Sequence, residues 1–236
     1  MKLKGFVADK KYAVARAVLE DNVAFEGATV VVDDEKAAVI KCGDMHKAVF
    51  ADISDFSDYA DRYGLYGKLC FLGAPSDAPE RVGFDAEPCT TYAYFGELPP
   101  AADIPSGVTV KRLAATLADV VLEHYHNPGG GYTVPRIAEI MRSKGVFGAI
   151  KDGRLVGFIG RHGDGSMGML EVFDGARRMG LGGALERFMI NYVMTFGRIP
   201  YCDVFEDNPA SLALQEKLGL TAGVGHTFWC EVEHRI

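Results

Sequence analysis

Residues 169–185 read MLEVFDGARRMGLGGAL, a change from strand-like to helix-like sequence across a glycine-rich turn. The first part is apolar apart from one glutamate and favours a buried strand, which breaks at Asp174-Gly175. From Leu181 onward, apolar residues recur at helical spacing. The first N–H groups of a helix lack internal partners and carry the positive end of the helix dipole, and glycines let a ligand approach them closely. The stretch therefore predicts a phosphate-binding turn.

The glycine spacing narrows the kind of phosphate site. A P-loop requires GxxxxGK followed by Ser or Thr, and a Rossmann turn requires GxGxxG with an acidic residue about twenty positions later. Neither pattern fits, because the glycines here run Gly180-Leu-Gly182-Gly183. What remains is Arg177-x-x-Gly180-x-Gly182 shortly after an apolar strand. A glycine-rich turn that binds no ligand stays open as the alternative.

A second motif follows the predicted helix. Residues 199–205 (IPYCDVF) predict a short strand, and residues 208–220 read NPASLALQEKLGL. Asn208 suits a helix N-cap, Pro209 suits the first helical position, and Gly219 suits the C-terminal stop. The sequence thus places strand, phosphate turn, helix, strand and capped helix in one order.

In this order, the two motifs resemble the coenzyme A pyrophosphate loop and the later asparagine-capped helix of the GCN5-related N-acetyltransferases (GNAT). The resemblance extends from about residue 108 to the C-terminus and is strongest over residues 169–220. It implies an α/β protein with the GNAT fold in its C-terminal half: a mixed, mainly antiparallel central sheet flanked by helices. Within the superfamily, the chain resembles the FR47-like and glycine N-acyltransferase branch.

A predicted linker divides the sequence into two domains. Residues 97–107 (ELPPAADIPSG) are rich in proline and small residues and predict a boundary. It separates an N-terminal α/β lobe, residues 1–105, from a GNAT acyltransferase domain, residues 106–236. The first lobe shows no phosphate loop. A degenerate GNAT-like copy and an unrelated α/β lobe are both compatible with its pattern, and tandem arrangements with a degenerate first copy are known in the branch that the chain resembles.

Composition excludes several classes of protein. The 236 residues carry a net charge of −7, which argues against nucleic-acid binding. No apolar run reaches the length of a membrane span, and the N-terminus has no hydrophobic signal sequence. The 5 cysteines form no CxxC pair, so we expect reduced thiols and a cytoplasmic location. No residue cluster predicts a metal site.

The resemblance assigns cofactor binding residue by residue. It implies acetyl-CoA, or another acyl-CoA, as co-substrate. Val172 and Phe173, in the strand before the loop, would bond the pantetheine arm, with Val172 N–H also aimed at the thioester oxygen. The loop residues would hold the pyrophosphate, with Arg177 shaping the turn: Arg177, Arg178, Met179, Gly180, Leu181, Gly182 and Gly183. Asn208 would bond pantetheine or act as a plain N-cap, and Ser211 would pack near the cofactor.

Catalysis is less completely indicated than binding. Glu171 is the carboxylate in an otherwise apolar strand, so it is a candidate general base, with a solvent-facing or neighbour-bonded glutamate as the alternative. Many family members place a tyrosine seven residues after the asparagine, as the acid for the leaving thiolate. Here that position is Gln215, which cannot donate a proton in this way, so Tyr201 and Cys202 on the preceding strand are candidate substitutes.

The function implied is transfer of an acyl group, an acetyl group in the first instance, from coenzyme A to a primary amine by direct attack on the thioester. The acceptor is a small-molecule amine or a peptide, and its site is expected within residues 117–144. A non-catalytic acyl-CoA-binding regulatory module is the alternative, as is a structural pair that binds nothing. The N-terminal lobe either caps the acceptor site or replaces a dimer partner, so a homodimer also stays open.

Overall fold

The computed structural model describes residues 2–99, 101–126 and 131–234. The sequence NPGGG at residues 127–131 predicts a break in the chain, and residues 127–130 lie outside this range. In chain order, the N-terminal elements are α1 (Ala13–Phe25), β1 (Thr29–Asp33), β2 (Ala37–Cys42), β3 (Met45–Phe50), α2 (Phe56–Tyr63), β4 (Gly67–Ala74), α3 (Ala78–Val82) and β5 (Cys89–Ala93). Short 3-10 turns at Phe6–Ala8, Lys10–Tyr12 and Ile53–Asp55 precede α1 and α2.

The remaining elements begin after the predicted linker. They are β6 (Val108–Arg112), α4 (Ala118–His124), α5 (Val134–Ser143), β7 (Val146–Lys151), β8 (Arg154–Arg161), β9 (Met167–Val172), α6 (Leu181–Met194), β10 (Tyr201–Phe205), α7 (Pro209–Lys217), β11 (Thr221–Ala222) and β12 (His226–Val232). Further 3-10 turns lie at Ala115–Leu117 and Asp174–Ala176. The predicted strand, glycine turn and helix around residue 180 are therefore present.

The chain divides into two compact units. The first unit joins Met1–Phe95 to Tyr201–Ile236, and the second unit is Gly96–Pro200. The first break lies beside the predicted linker. The C-terminal residues from Tyr201 onward, which the sequence grouped with the phosphate loop, share their compact unit with the N-terminal residues instead. The cause is strand pairing, because β10 pairs with β5 and β12 pairs with β4.

The first unit is built on a mixed sheet. Within residues 2–99 and 201–234, its strands run in the order β1-β2-β3-β4-β12-β5-β10, and β11 pairs with β5. The pair β3 and β4 is parallel, and the other pairs are antiparallel. Phe228 and Val232 of β12 join the core formed by the N-terminal strands and α2. The C-terminal strand therefore completes the hydrophobic core of the N-terminal half.

The second unit carries its own sheet. In the described part of residues 96–200, the strands run β6-β7-β8-β9, all antiparallel, so that β9 forms one edge. One face packs on α4 and α5, in a core that includes Val121, Ile137, Ile140 and Phe158. Phe147 of β7 packs edge-on against Phe188 of α6.

The predicted fold class is confirmed as mixed, mainly antiparallel α/β, and the internal order supports a repeat. The antiparallel run β1-β2-β3 is followed by α2 and then β4, and the antiparallel run β7-β8-β9 is followed by α6 and then β10. This shared order is what a degenerate GNAT-like copy in the N-terminal half would show.

Candidate functional site

Strand β9 presents one open edge within the second unit. Phe173 N–H donates to Val156 O at 3.0 Å, and Phe158 pairs with Glu171. Because backbone groups alternate along an antiparallel strand, residues 171 and 173 point toward β8, and the N–H and C=O of Val172 point to the opposite edge. The sequence placed the oxyanion donor at Val172 N–H, and the strand geometry directs that group to the open edge.

A β-bulge bends β9 just before this point. The pairs Phe158 with Glu171 and Gly160 with Gly168 leave one extra residue on β9. Met169 lies in this bulge with φ +52° although its side chain is 1% exposed. A non-glycine residue at positive φ is uncommon and costs free energy, so the surrounding packing must hold it. The bulge changes the direction of the strand edge next to Val172.

The turn after β9 is held by an arginine. Arg177 Nε donates to Val172 O at 3.2 Å, and its guanidinium lies 3.0 Å from Asp174 Oδ1. These contacts fold the turn back onto the end of the strand, which matches the shaping role predicted for Arg177. Arg178 follows with φ +64° and is exposed. The turn thus presents two exposed guanidinium groups in a protein of net charge −7.

Helix α6 begins with unpartnered backbone donors. Ala184 N–H donates to Gly180 O at 3.1 Å, so the N–H groups of Leu181, Gly182 and Gly183 precede the first intrahelical hydrogen bond. Among the described residues, no side chain caps this end. Gly180 has φ +75°, and a Cβ added there would meet nothing within 4 Å. A Cβ at Gly182 would approach only Val172 Cγ2, at 3.8 Å.

These features fit a pyrophosphate group. The N–H groups at the positive end of a 14-residue helix supply hydrogen bonds, and two guanidinium groups supply positive charge. The open space above the glycines gives a ligand access to them. The corresponding segment between β3 and α2 is different. There Asp52 caps the turn by accepting from Ser54 N–H, and Arg81 pairs with Asp52. The first unit thus presents carboxylates where the second presents glycines and arginines.

Glu171 lies on the face of β9 that carries α4 and α5. Its carboxylate accepts from His126 N–H at 3.0 Å and lies 3.7 Å from His126 Nδ1, while the side chain is 18% exposed. This contact matches the neighbour-bonded alternative that the sequence left open. The next residue on this face, Phe173, packs against the His124 ring at 4.2 Å. Both contacts fix the end of α4 against β9.

Several predicted residues lie in the first unit. Asn208 caps α7, with its Oδ1 accepting from Ser211 N–H at 3.1 Å. Tyr201 is 1% exposed, and its hydroxyl accepts from Asn22 Nδ2 at 2.8 Å. The Lys47 ammonium lies 5.2 Å from the centre of the Tyr201 ring. Tyr201 as a proton donor stays a prediction, and its burial favours a packing role instead.

Sequence reasoning missed one hydrogen-bonded pair, one member of which lies in the region predicted to hold the acceptor. Tyr132 and His162 hydrogen-bond at 2.7 Å between the phenol oxygen and Nδ1. The sequence gives no direct sign of this pair, because the two residues lie 30 positions apart. Gly168 of β9 faces the His162 ring, and a glycine inside a strand is the sign of such a contact in the sequence. Only the strand register shows that this glycine lies opposite the histidine.

The comparisons with known proteins agree with this geometry. Residues 143–230 match the family model described as FR47-like protein. This segment, which includes the glycine-rich turn, α6 and β10, is therefore similar to the FR47-like family. No curated protein matches the sequence.

Solved structures share the fold over most of the chain. A putative GNAT-family acetyltransferase from Novosphingobium aromaticivorans is similar with TM-score 0.56 and 16% identity, covering 94% of this chain and 99% of that one. A GCN5-related N-acetyltransferase from Kribbella flavida is similar with TM-score 0.57 and 12% identity, covering 95% of this chain and 96% of that one. A Drosophila protein is similar with TM-score 0.62 and 18% identity, covering 88% of this chain and 75% of that one. The likeness therefore includes both units and concerns the fold.

Two further findings concern metal sites and membrane spans. In the described ranges, no group of three or more His, Cys, Asp or Glu side chains is arranged to hold a metal ion. No helix among the same residues is both long and apolar enough to cross a membrane.

Proposed function

We propose that this protein is an acyl-CoA-dependent N-acyltransferase that moves an acyl group, an acetyl group in the first instance, to a primary amine. One observation carries the proposal: an open strand edge at Val172 leads into a turn whose helix N–H groups lie beside glycines and arginines. The match of residues 143–230 to the FR47-like family model supports it. The acceptor class, a small-molecule amine or a peptide, the cytoplasmic location and a homodimer stay predictions.

The geometry supports a binding role for two parts of the second unit. The N–H groups of residues 181–183 and the exposed Arg177 and Arg178 would hold the pyrophosphate of coenzyme A. The pantetheine arm would pair with the open edge of β9 as an added strand would, with Val172 N–H donating to the thioester oxygen. A fixed N–H at this point stabilises the charge that develops on that oxygen during attack.

The chemical step needs a proton acceptor as well. The ammonium form of the acceptor loses a proton, the amine nitrogen attacks the thioester carbon, and the C–S bond breaks to release coenzyme A as a thiol. The net reaction converts acyl-CoA and an ammonium ion into an amide, free coenzyme A and one proton. Glu171 is the base predicted from the sequence, and Glu171→Gln tests that role while keeping the hydrogen bond from His126 N–H.

The first experiment is calorimetric titration with acetyl-CoA. Wild type is compared with Gly180→Glu/Gly182→Glu, which places two carboxylates where the phosphates would lie. A control, Ala101→Glu/Ser106→Glu, adds the same charge at exposed positions in the segment before β6. We expect binding by wild type and the control, and none by the loop variant. A folded wild type that does not bind acetyl-CoA would refute the proposal.

A second function is favoured by one observation. Gln215 occupies the position of the usual acid, is 2% exposed, and has a buried Oε1 for which no hydrogen-bond partner is found in the described residues. A protein without that acid can still bind acyl-CoA and act as a regulatory module. Binding of acetyl-CoA without release of free thiol, across a panel of primary amines, would establish this alternative.

A further inference from the structure

Three aromatic rings meet beside the bulge of β9. Tyr125 ends α4, Tyr132 precedes the N-cap of α5, and His162 follows β8. Their ring centres lie 5.5 Å apart for the two tyrosines, and 6.1 Å and 6.3 Å from His162 to Tyr132 and to Tyr125. All three side chains are half-buried, so the cluster rests on the core and still reaches solvent.

The histidine ring occupies space that a side chain of β9 would normally fill. A Cβ added at Gly168 would overlap the His162 imidazole at Nε2. Gly168 pairs with Gly160, and Glu171 pairs with the core residue Phe158, so the ring lies on the face of the sheet that carries α4 and α5. The glycine thus brings Nε2 against the strand whose edge carries the predicted oxyanion donor.

The opposite nitrogen is fixed by tyrosine. Tyr132 Oη lies 2.7 Å from His162 Nδ1. Burial, with smaller contributions from Tyr125 and Asp164, raises the pKa of Tyr132 and is opposed in part by Arg136. The phenol therefore stays neutral across the physiological range and serves as a hydrogen-bond partner. When Tyr132 Oη accepts from Nδ1–H, the lone pair of the neutral ring lies on Nε2, which faces β9.

The spacing suits proton transfer from the acceptor. From Gly168 to Val172 the strand advances by about 10–13 Å. The reacting atoms between the Val172 nitrogen and a base span about 10 Å. This distance includes the oxyanion hydrogen bond, the carbonyl bond, the approach of the amine and its hydrogen bond to the base. A base at His162 can therefore reach an amine that attacks a thioester held at Val172 N–H.

We propose that His162 is a catalytic residue that accepts the proton of the acceptor ammonium at Nε2, and that Tyr132 is a positioning residue that holds the ring through Nδ1. This inference rests on the proposed function. The amine nitrogen passes one proton to Nε2 and forms the C–N bond, and the thiolate leaves as the C–S bond breaks. The new amide nitrogen then loses its second proton to the thiolate, and the imidazolium releases its proton to water. Glu171, bonded to His126 N–H, orders the end of α4 in this arrangement.

Charged and titratable groups surround the pair of Tyr132 and His162. Tyr132 and Arg136 approach from the α5 side, Tyr125 from α4, and Asp164 from the turn after β8. From β9 the facing residue is Gly168, which carries no charge. A neutral imidazole is required for the base, so kcat/KM should fall at low pH, where the imidazole is protonated.

The test uses the full chain, acetyl-CoA and two probe amines. Ethylamine is protonated throughout the assay and needs a base, whereas hydroxylamine is mostly neutral in the upper half of the pH range. Release of coenzyme A thiol is followed from pH 5 to 9 for wild type, His162→Gln and Tyr132→Phe, with His226→Gln as a matched control in the first unit. We expect His162→Gln to lower kcat with ethylamine about 100-fold or more and to retain more activity with hydroxylamine. The fall of kcat/KM at low pH, called the acidic limb below, should be absent from this variant.

Tyr132→Phe should lower kcat by about tenfold with little change in KM for acetyl-CoA, because it acts through the ring. Histidine ¹⁵N NMR should show loss of the Nδ1 hydrogen bond in this variant, a readout that needs no turnover. An unchanged acidic limb and rate in His162→Gln would overturn the inference, as would a wild type that binds acetyl-CoA but acylates neither amine. Failure of wild type to bind acetyl-CoA would instead overturn the proposed function. If Glu171→Gln alone removes the limb, the base is Glu171.

Discussion

Gly182→Ala separates the architectural role of the phosphate loop from its binding role. Residue 182 lies in the first turn of α6, where a Cβ would meet only Val172 Cγ2 at 3.8 Å, an ordinary van der Waals distance. Alanine should therefore fit without strain. Because glycine loses more backbone entropy on folding, the variant should gain about 0.5–1 kcal/mol of stability. For a chain of this size the melting temperature should rise by about 1–4 °C.

Binding should change in the opposite direction. The added methyl group stands over the N–H groups that would receive the pyrophosphate, so at least one charge-assisted hydrogen bond is lost or lengthened. Such a bond contributes about 1.5–3 kcal/mol, which corresponds to a Kd for acetyl-CoA that is weaker by about 10- to 150-fold.

Thermal unfolding without ligand and calorimetric titration with acetyl-CoA measure the two effects separately. Gly175→Ala is the matched control, because residue 175 also has open space around its Cβ position but lies before the helix start. Its Kd should not change. If Gly182→Ala becomes more stable and binds acetyl-CoA with the Kd of wild type, the loop does not hold the pyrophosphate.

Three further predictions follow from single contacts. Tyr201→Phe removes the acceptor of the Asn22 amide in a buried site and should cost about 1–2 kcal/mol in urea unfolding; a fall in kcat at unchanged stability would show instead that this tyrosine is the acid. Gly180→Ala places a side chain at φ +75° and should lower stability by about 1 kcal/mol in thermal unfolding, and an unchanged melting temperature would contradict the left-handed geometry. Burial and the hydrogen bond to Asp34 raise the pKa of Tyr59 to about 12, so the neutral phenol is favoured in the folded state. Stability should therefore decline as the pH rises from 10 toward 12, and Tyr59→Phe should flatten that decline in pH-dependent unfolding.

The sequence by itself determined the local elements. The change from apolar strand to glycine turn to helix around residue 180 appears in the structure, as do the Asn208 cap and the positive φ of Gly219 at the end of α7. These features depend on backbone conformation and on hydrogen bonds within a few residues. Local residue preferences are therefore sufficient to indicate them.

Only the tertiary structure decided which strands pair and which side chains meet. The pairing of β12 with β4 joins segments more than 150 positions apart, and no local signal marks that choice. The contacts of Glu171 with His126 and of Tyr132 with His162 depend on the bulge in β9 and on the register that sets Gly168 opposite Gly160. A one-residue shift in that register would turn each side chain to the other face of the sheet, so these contacts exist only in the folded chain.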